Sequence, residues 1–385
     1  MSRQAVFEAS LRYFLSPIGS FLDDPTVTEV MVNGPRQIFV ERKGCIEKTD
    51  AYFPDEDSLR SAVNNLAQSV GREISDRHPV LDARLPDGSR VHVIIPPGAR
   101  RGTCITIRKF SREPLTLDDL MRFGSLTDCS REFLEVCVAL RKNVIVAGGS
   151  GTGKTSMLGA LSGAIPEEER IIVIEDTSEL RLHQEHCLYL EAQPPTKESP
   201  FNLDIRELFR SSLRMRPDRI IVGEVRGGEA LDLIQSMISG HEGSLSTVHA
   251  SSAIDALVRL ETLSLMSDVQ IPVYVARAQV ASAIDVIVQL TRSNETGRRR
   301  ISSISEASRL DKDNQYQLQE IFTLEPTMIS NGKSSVNRQG ITANMEMSLV
   351  ETGATPTFSQ DAYNNGIMGR INHSVNLWTA PEGSV

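Results

Sequence analysis

The sequence predicts a two-domain α/β protein: a three-layer α/β domain on a mostly parallel sheet, preceded by a smaller α+β domain. Three observations point there. Roughly the first 110 residues alternate extended segments with turn signals around one amphipathic helix. From Leu117 onward, short apolar runs alternate with helical patterns. One of those runs ends in a glycine-rich loop that opens a helix.

In the first domain, Val27–Val32 and Gln37–Glu41 read as extended segments joined by the hairpin signal Asn33-Gly34-Pro35. Asp55 then opens a helix whose Leu59, Ala62, Val63, Leu66 and Val70 share a face. Val80–Leu85 and Ser89–Ile95 flank Pro86-Asp87-Gly88, a second turn. Ile105 and Ile107 alternate with Thr106 and Arg108, which sends the arginine away from the core. Arg112-Glu113-Pro114 marks a linker. In the second domain Lys142–Ala147, Ile171–Glu175 and Arg219–Gly223 are apolar runs of the kind buried on both faces of a parallel sheet. Ile205, Leu208, Phe209 and Leu213 predict one amphipathic helix, and Ala230, Leu231, Ile234 and Ile238 another that Gly240 ends. Ser252-x-x-Asp255 has the spacing of a capping box. The expected division is residues 1–112, a linker at 113–118, the α/β domain at 119–325, and a tail at 326–385. The tail is rich in Ser, Asn, Gly and Thr and has little periodicity.

Composition narrows the function classes. Lys plus Arg number 41 against 50 Asp plus Glu, a net charge of −9. That balance disfavours nucleic acid as the main ligand, because phosphate backbones reward positive surfaces. No apolar run approaches the roughly 18 residues of a membrane-spanning helix. Glu8 and Arg12 interrupt any signal-peptide core, so a cytoplasmic chain is expected. The 5 cysteines form no C-x-x-C pair, and reduced thiols are expected. His183-x-x-His186-Cys187 has metal-like spacing but no further ligand nearby. Arg298-Arg299-Arg300 reads as a solvated loop.

The chemistry concentrates in four blocks. Gly148-Gly149-Ser150-Gly151-Thr152-Gly153-Lys154-Thr155 is a complete G-x-x-x-x-G-K-[ST] pattern, preceded by a strand and followed by a helix. Its glycines let backbone N–H groups converge on phosphate oxygens. Lys154 is expected to reach the β- and γ-phosphates and Thr155 to place its hydroxyl on Mg²⁺, with Ser156 beside it. The other two core strands run into acids, Glu175-Asp176 and Glu224, at the ends where parallel sheets hold ligands. One carboxylate there can hold the metal's water shell while another orients the attacking water. His241 and His249 flank a Gly-Ser-Leu-Ser loop just beyond, where a histidine can sense a γ-phosphate.

The stretch Leu213–Ala230, LRMRPDRIIVGEVRGGEA, resembles the signature of the type II/IV secretion ATPase superfamily, with most similarity to its Tad/Flp pilus branch. Met31-Val32-Asn33-Gly34 with Ile38–Gly44 resembles it too, and the likeness runs from about residue 20 to about 325, with a faint continuation at Gly353–Phe358. The resemblance implies a RecA-like P-loop domain and assigns roles. Gly148–Thr155 becomes Walker A and Glu224 the Walker B carboxylate. Glu175 becomes the water-activating base, with Asp176 beside it in the Asp box, and His241 and His249 form the His box. It further implies ATP and Mg²⁺ as cofactors and a homo-hexamer whose N-terminal arginines, best matched by Arg90 and Arg108, close over the phosphates. The implied partner is a polytopic inner-membrane platform protein, which would hold the cytoplasmic ring at the membrane without inserting it. The long N-terminal helical extension and four-cysteine zinc element of some relatives are absent. A RecA-like nucleic-acid translocase and an ATP-binding scaffold are the competing functions.

Overall fold

In the computed structural model the described residues are 3–42, 44–85, 87–110, 114–193, 202–293, 296–328 and 345–381. They divide into two compact units: residues 1–113 with 293–298, and residues 114–292 with 299–385. The expected linker signal at Arg112-Glu113 lies outside the described residues.

The first unit opens with helices α1 (Arg3–Phe14) and α2 (Ser16–Asp23). Strands β1 (Val27–Asn33), β2 (Ile38–Arg42) and β3 (Cys45–Lys48) precede α3 (Glu56–Ser69), and β4 (Val80–Arg84), β5 (Arg90–Ile94) and β6 (Cys104–Arg108) follow it. The six strands form one antiparallel sheet in the order β3-β2-β1-β6-β5-β4. Asn33 N–H donates to the Gln37 carbonyl at 2.8 Å and Gly34 takes φ +95°, so the Asn-Gly signal does form the β1–β2 turn. Asp55 caps α3 by accepting from Ser58 N–H at 2.8 Å. Period-2 burial then assembles the core. Val30, Val32, Ile38, Val40, Val91, Val93, Ile105 and Ile107 pack beneath Leu59, Ala62, Val63 and Leu66 of α3.

The second unit begins with α4 (Leu117–Arg122), α5 (Asp128–Ala139), β7 (Val144–Gly148) and α6 (Lys154–Ser162). Then come β8 (Ile171–Glu175), β9 (Cys187–Glu191), α7 (Ile205–Ser212), β10 (Arg219–Val222), α8 (Glu229–Met237) and β11 (Leu245–His249). Helices α9 (Ala253–Leu265) and α10 (Val273–Ala283) lead into β12 (Val286–Arg292), β13 (Arg299–Ser308), β14 (Gln317–Met328) and β15 (Met345–Glu351). Helix α11 (Asp361–Asn364) closes the series. The sheet order is β15-β14-β13-β12-β7-β11-β10-β8-β9. From β12 to β9 all neighbours are parallel, whereas β12 to β15 are antiparallel. The sheet is therefore mixed, an α/β fold whose parallel half holds the motifs.

Alternate residues of the central strands feed two separate cores. Val144, Val146, Ile171 and Val173 pack against α5 and α6, whereas Ile145, Ala147, Ile172 and Ile174 pack against α7 to α10. That two-sided burial explains the unbroken apolar runs. Two expected core positions fail: Leu213 and Ile238 are 37% and 45% exposed, because α7 and α8 end one residue before them. Ser252 accepts from Asp255 N–H at 3.2 Å, which supplies the capping half that holds the start of α9.

The division at 325/326 also needs correcting. It cuts through β14, and the supposed tail supplies β15 and then a strap, residues 354–381, that returns to the core beside α5. Leu377, Trp378 and Ile371 are buried there. Trp378 stacks on Phe133 with ring centres 5.7 Å apart, and Phe133 also stacks on Phe358 at 6.4 Å. Buried Glu132 of α5 accepts N–H bonds from Asn372, His373 and Ser374 at 2.7–2.8 Å, plus the Ser374 hydroxyl at 2.9 Å. Burial pushes that carboxyl up, but these four donors outweigh it and its pKa falls.

Candidate active site

The site grows from the turn between β7 and α6. Gly148 ends the strand so tightly that a Cβ there would come within 2.5 Å of Thr152 Oγ1 and 3.1 Å of Leu290 Cβ. Gly151 and Gly153 take φ +69° and +95°, conformations that cost a side-chain-bearing residue energy. Thr152 Oγ1 donates to the Gly149 carbonyl at 2.9 Å and fixes the loop from within. Gly149 and Ser150 stay exposed at its apex, as does Ser156 on α6, while Thr155 in the first helical turn is half-buried. Four N–H groups at the start of α6 lack partners within the helix, which makes this end a natural seat for an anion.

Lys154 is buried, at 9% exposure. It donates to the Gly149 carbonyl at 3.1 Å and lies 3.3 Å from Nε2 of His249 at the end of β11. The same Nε2 lies 2.7 Å from Oε1 of Glu224, just beyond β10. That approach is close but off the hydrogen-bond direction, and Oε1 has no aligned donor among the described residues. Burial pushes the His249 pKa down, Lys154 and Arg226 push it the same way, and Glu224 opposes them. His249 thus stands between the loop's cation and the strand-end carboxylate.

Arg226 completes the acidic end, with Nε donating to Glu224 Oε2 at 2.8 Å and Nη1 to exposed Asp176 at 3.3 Å. Arg226 lies inside the Leu213–Ala230 stretch with no expected role of its own, and only its position two residues after Glu224 hinted at the bridge. Glu175 is 4% exposed and its Oε1 accepts the Glu179 and Leu180 amides at 2.9 and 3.0 Å. Burial raises its pKa to about 7 against the pull of those two amides. Gly223 makes room for it, since a Cβ there would come within 2.9 Å of Glu175 Cγ. Glu175 therefore ties down the turn that carries Asp176 and Glu179.

His241 does not join this group. It precedes β11, whereas His249 ends it, so the strand's length separates them. The neighbouring Gly243 and Ser244 amides donate to Asn143, ahead of β7 and at the opposite end from the loop. His241 is a residue of the amino-terminal edge of the sheet, and its expected place in the nucleotide site is corrected. In the first unit Arg90 and Arg108 are register partners on β5 and β6, so they share a sheet face, opposite the buried Val91 and Ile107. His183 and His186 pair with Glu167 and Arg170, and no metal-holding cluster exists among the described residues.

Comparison with known proteins identifies the family. The profile of the type II/IV secretion system protein family matches residues 14–362. The type IV secretion system protein VirB11 of Brucella suis is 36% identical over 324 residues, covering 77% of this chain and 90% of that protein. The PtlH homolog of Bordetella bronchiseptica, another type IV secretion system protein, is 35% identical over 320 residues, covering 76% and 94%. Among solved structures, the Legionella pneumophila ATPase DotB matches with a TM-score of 0.55 at 18% identity over 78% of this chain and 82% of that one, a likeness of fold. With a family profile spanning most of its length and full-length relatives above 30% identity, this chain belongs to the type II/IV secretion system protein family.

Proposed function

We propose that the chain is an ATP-hydrolysing motor that powers a secretion or pilus-assembly machine through a membrane platform protein. The observation carrying this is the convergence of Lys154, His249 and Glu224 beside the glycine loop, each within 3.3 Å of the next. The second unit reads as a RecA-like domain, with the loop strand and the acidic strand separated by β11. Backbone amides of Gly148–Thr155 would grip the β- and γ-phosphates, and Lys154 would neutralise them. Thr155 and Glu224 would hold Mg²⁺, Glu224 through water. Its buried Oε1, with no aligned donor among the described residues, is the kind of oxygen such an ion satisfies. Bound Mg²⁺ supplies charge neutralisation on the terminal phosphates. Asp176 lies across Arg226 from Glu224 and would tune its availability.

Arg90 and Arg108 are proposed to close over the phosphates in a homo-hexameric ring. Such arginines multiply the rate by about 10³–10⁵ in P-loop enzymes. We place this ring in the cytoplasm, held at the inner membrane by its platform protein. The Tad/Flp pilus branch is the finer reading and rests on the Leu213–Ala230 resemblance. Specific ATPase activity is expected to rise with protein concentration until the ring is complete. A rate per subunit that stays flat from dilute to concentrated protein would sink the ring, and stimulation by single-stranded or duplex DNA would favour the translocase instead.

Glu175 has two readings. As the water-activating base it has a pKa near the working pH, and Glu175→Gln should then lower turnover by about 10²–10⁴. As the anchor of the 176–180 turn, Gln keeps an acceptor for the Glu179 and Leu180 amides and Ala does not. The geometry favours the anchor: Glu175→Gln should retain most turnover while Glu175→Ala loses it. Linkage gives an independent check. A folded pKa raised to about 7 means the native state binds the extra proton between pH 4.5 and 7, so stability falls as pH rises through that window. Glu175→Gln should flatten that fall, read as Tm against pH.

A further inference from the structure

Three consecutive arginines, Arg298-Arg299-Arg300, look in sequence like a solvated run, but β13 starts at Arg299 and its alternation sends neighbours to opposite faces. Arg300 Nη1 donates to the Gly124 carbonyl at 3.0 Å and also to the Met347 carbonyl, tying down α4's end and β15. Arg299 turns the other way: its Nε donates to the Gly151 carbonyl at 2.8 Å, at the crown of the phosphate-type loop. Its Cδ lies 3.5 Å from where a Gly153 side chain would begin. Arg292, its register partner on β12, reaches the same loop, with Nη1 2.9 Å from an ideal Cβ on Gly151. Two guanidinium groups directly opposite across a sheet repel unless oxygens lie nearby to accept from them. The Gly151 carbonyl is one such oxygen.

We propose that Arg299 and Arg292 are positioning residues for nucleotide binding. Arg299 holds the loop in its phosphate-gripping shape from outside by satisfying Gly151, and the pair adds local positive charge for a nucleotide's polyphosphate on a chain whose net charge is −9. This rests on the reading of Gly148–Thr155 as a nucleotide site. Two devices are then built into the β12–β13 pair: a brace on the loop's conformation, and a field that makes affinity depend on ionic strength.

The test is equilibrium binding of a fluorescent ATP analogue to the full chain at several salt concentrations, with steady-state ATPase in parallel. Arg299→Ala is expected to weaken binding about tenfold, raising KM more than it lowers kcat, and the Arg292→Ala/Arg299→Ala double variant to weaken it further. Arg299→Lys should recover part of the loss through charge, and both alanine variants should show a shallower salt dependence than the native chain. Lys154→Ala separates the two layers. If it binds the analogue as the native chain does, the nucleotide reading itself fails. If Lys154→Ala loses binding while the arginine variants match the native chain in affinity and salt slope, the brace is overturned and the nucleotide site stands. A loss in Arg299→Ala that merely follows a lower folded fraction, with Arg299→Lys no better, also overturns it.

Discussion

Glu224→Gln should leave ATP binding within about threefold of the native chain while turnover falls by about 10²-fold or more. The substitution keeps the volume at the end of β10 and leaves an oxygen for Arg226, so the local packing survives. It removes the negative charge beside His249 and the carboxylate proposed to hold a metal's water shell. Binding, which we propose to depend on the loop amides and Lys154, has no reason to fall far. Lys154→Ala should do the reverse and act first on affinity, since it removes the ammonium that sits at the loop. ATP binding measured by calorimetry beside phosphate release distinguishes the two. Unchanged turnover in Glu224→Gln would remove Glu224 from the chemistry.

The second large effect concerns stability. Trp378→Ala should cost about 3–5 kcal/mol, because it opens a cavity against Phe133 and Phe358 and strips the Ser374 hydroxyl of its indole donor. Glu132→Gln is nominally conservative and should also be severe. Both native oxygens accept amides of the strap, so a Gln amide group would point donors at donors whichever way it turned. Urea unfolding monitored by tryptophan fluorescence measures Glu132→Gln directly, since Trp378 is the chain's single Trp, and circular dichroism serves for Trp378→Ala. A midpoint for both variants equal to that of the native chain would mean the strap is not part of the cooperative core.

What could be read from residues alone follows the kinds of signal involved. The loop was legible because its spacing is set by backbone demands at Gly151 and Gly153 and by one lysine, all within eight residues. The parallel strands showed as apolar runs because both faces are buried. The two histidines misled because they share a sequence block, although a strand ending at His249 must hold His241 near its other end. Arg299 was hidden by its like-charged neighbours until strand alternation separated them. The strap was least legible: it has almost no repeating pattern, its anchors are single side chains far apart in sequence, and Glu132 resembles any helix-surface acid. Long-range irregular packing of that kind leaves no local signature.

The strap also sets the order in which the molecule can be made. Residues 371–378 come after every strand of the sheet in chain order, yet they seal the layer under α5 beside the strand that leads into the glycine loop. Emerging chains can fold the first unit early, but the interior of the second unit is complete only once this strap has followed.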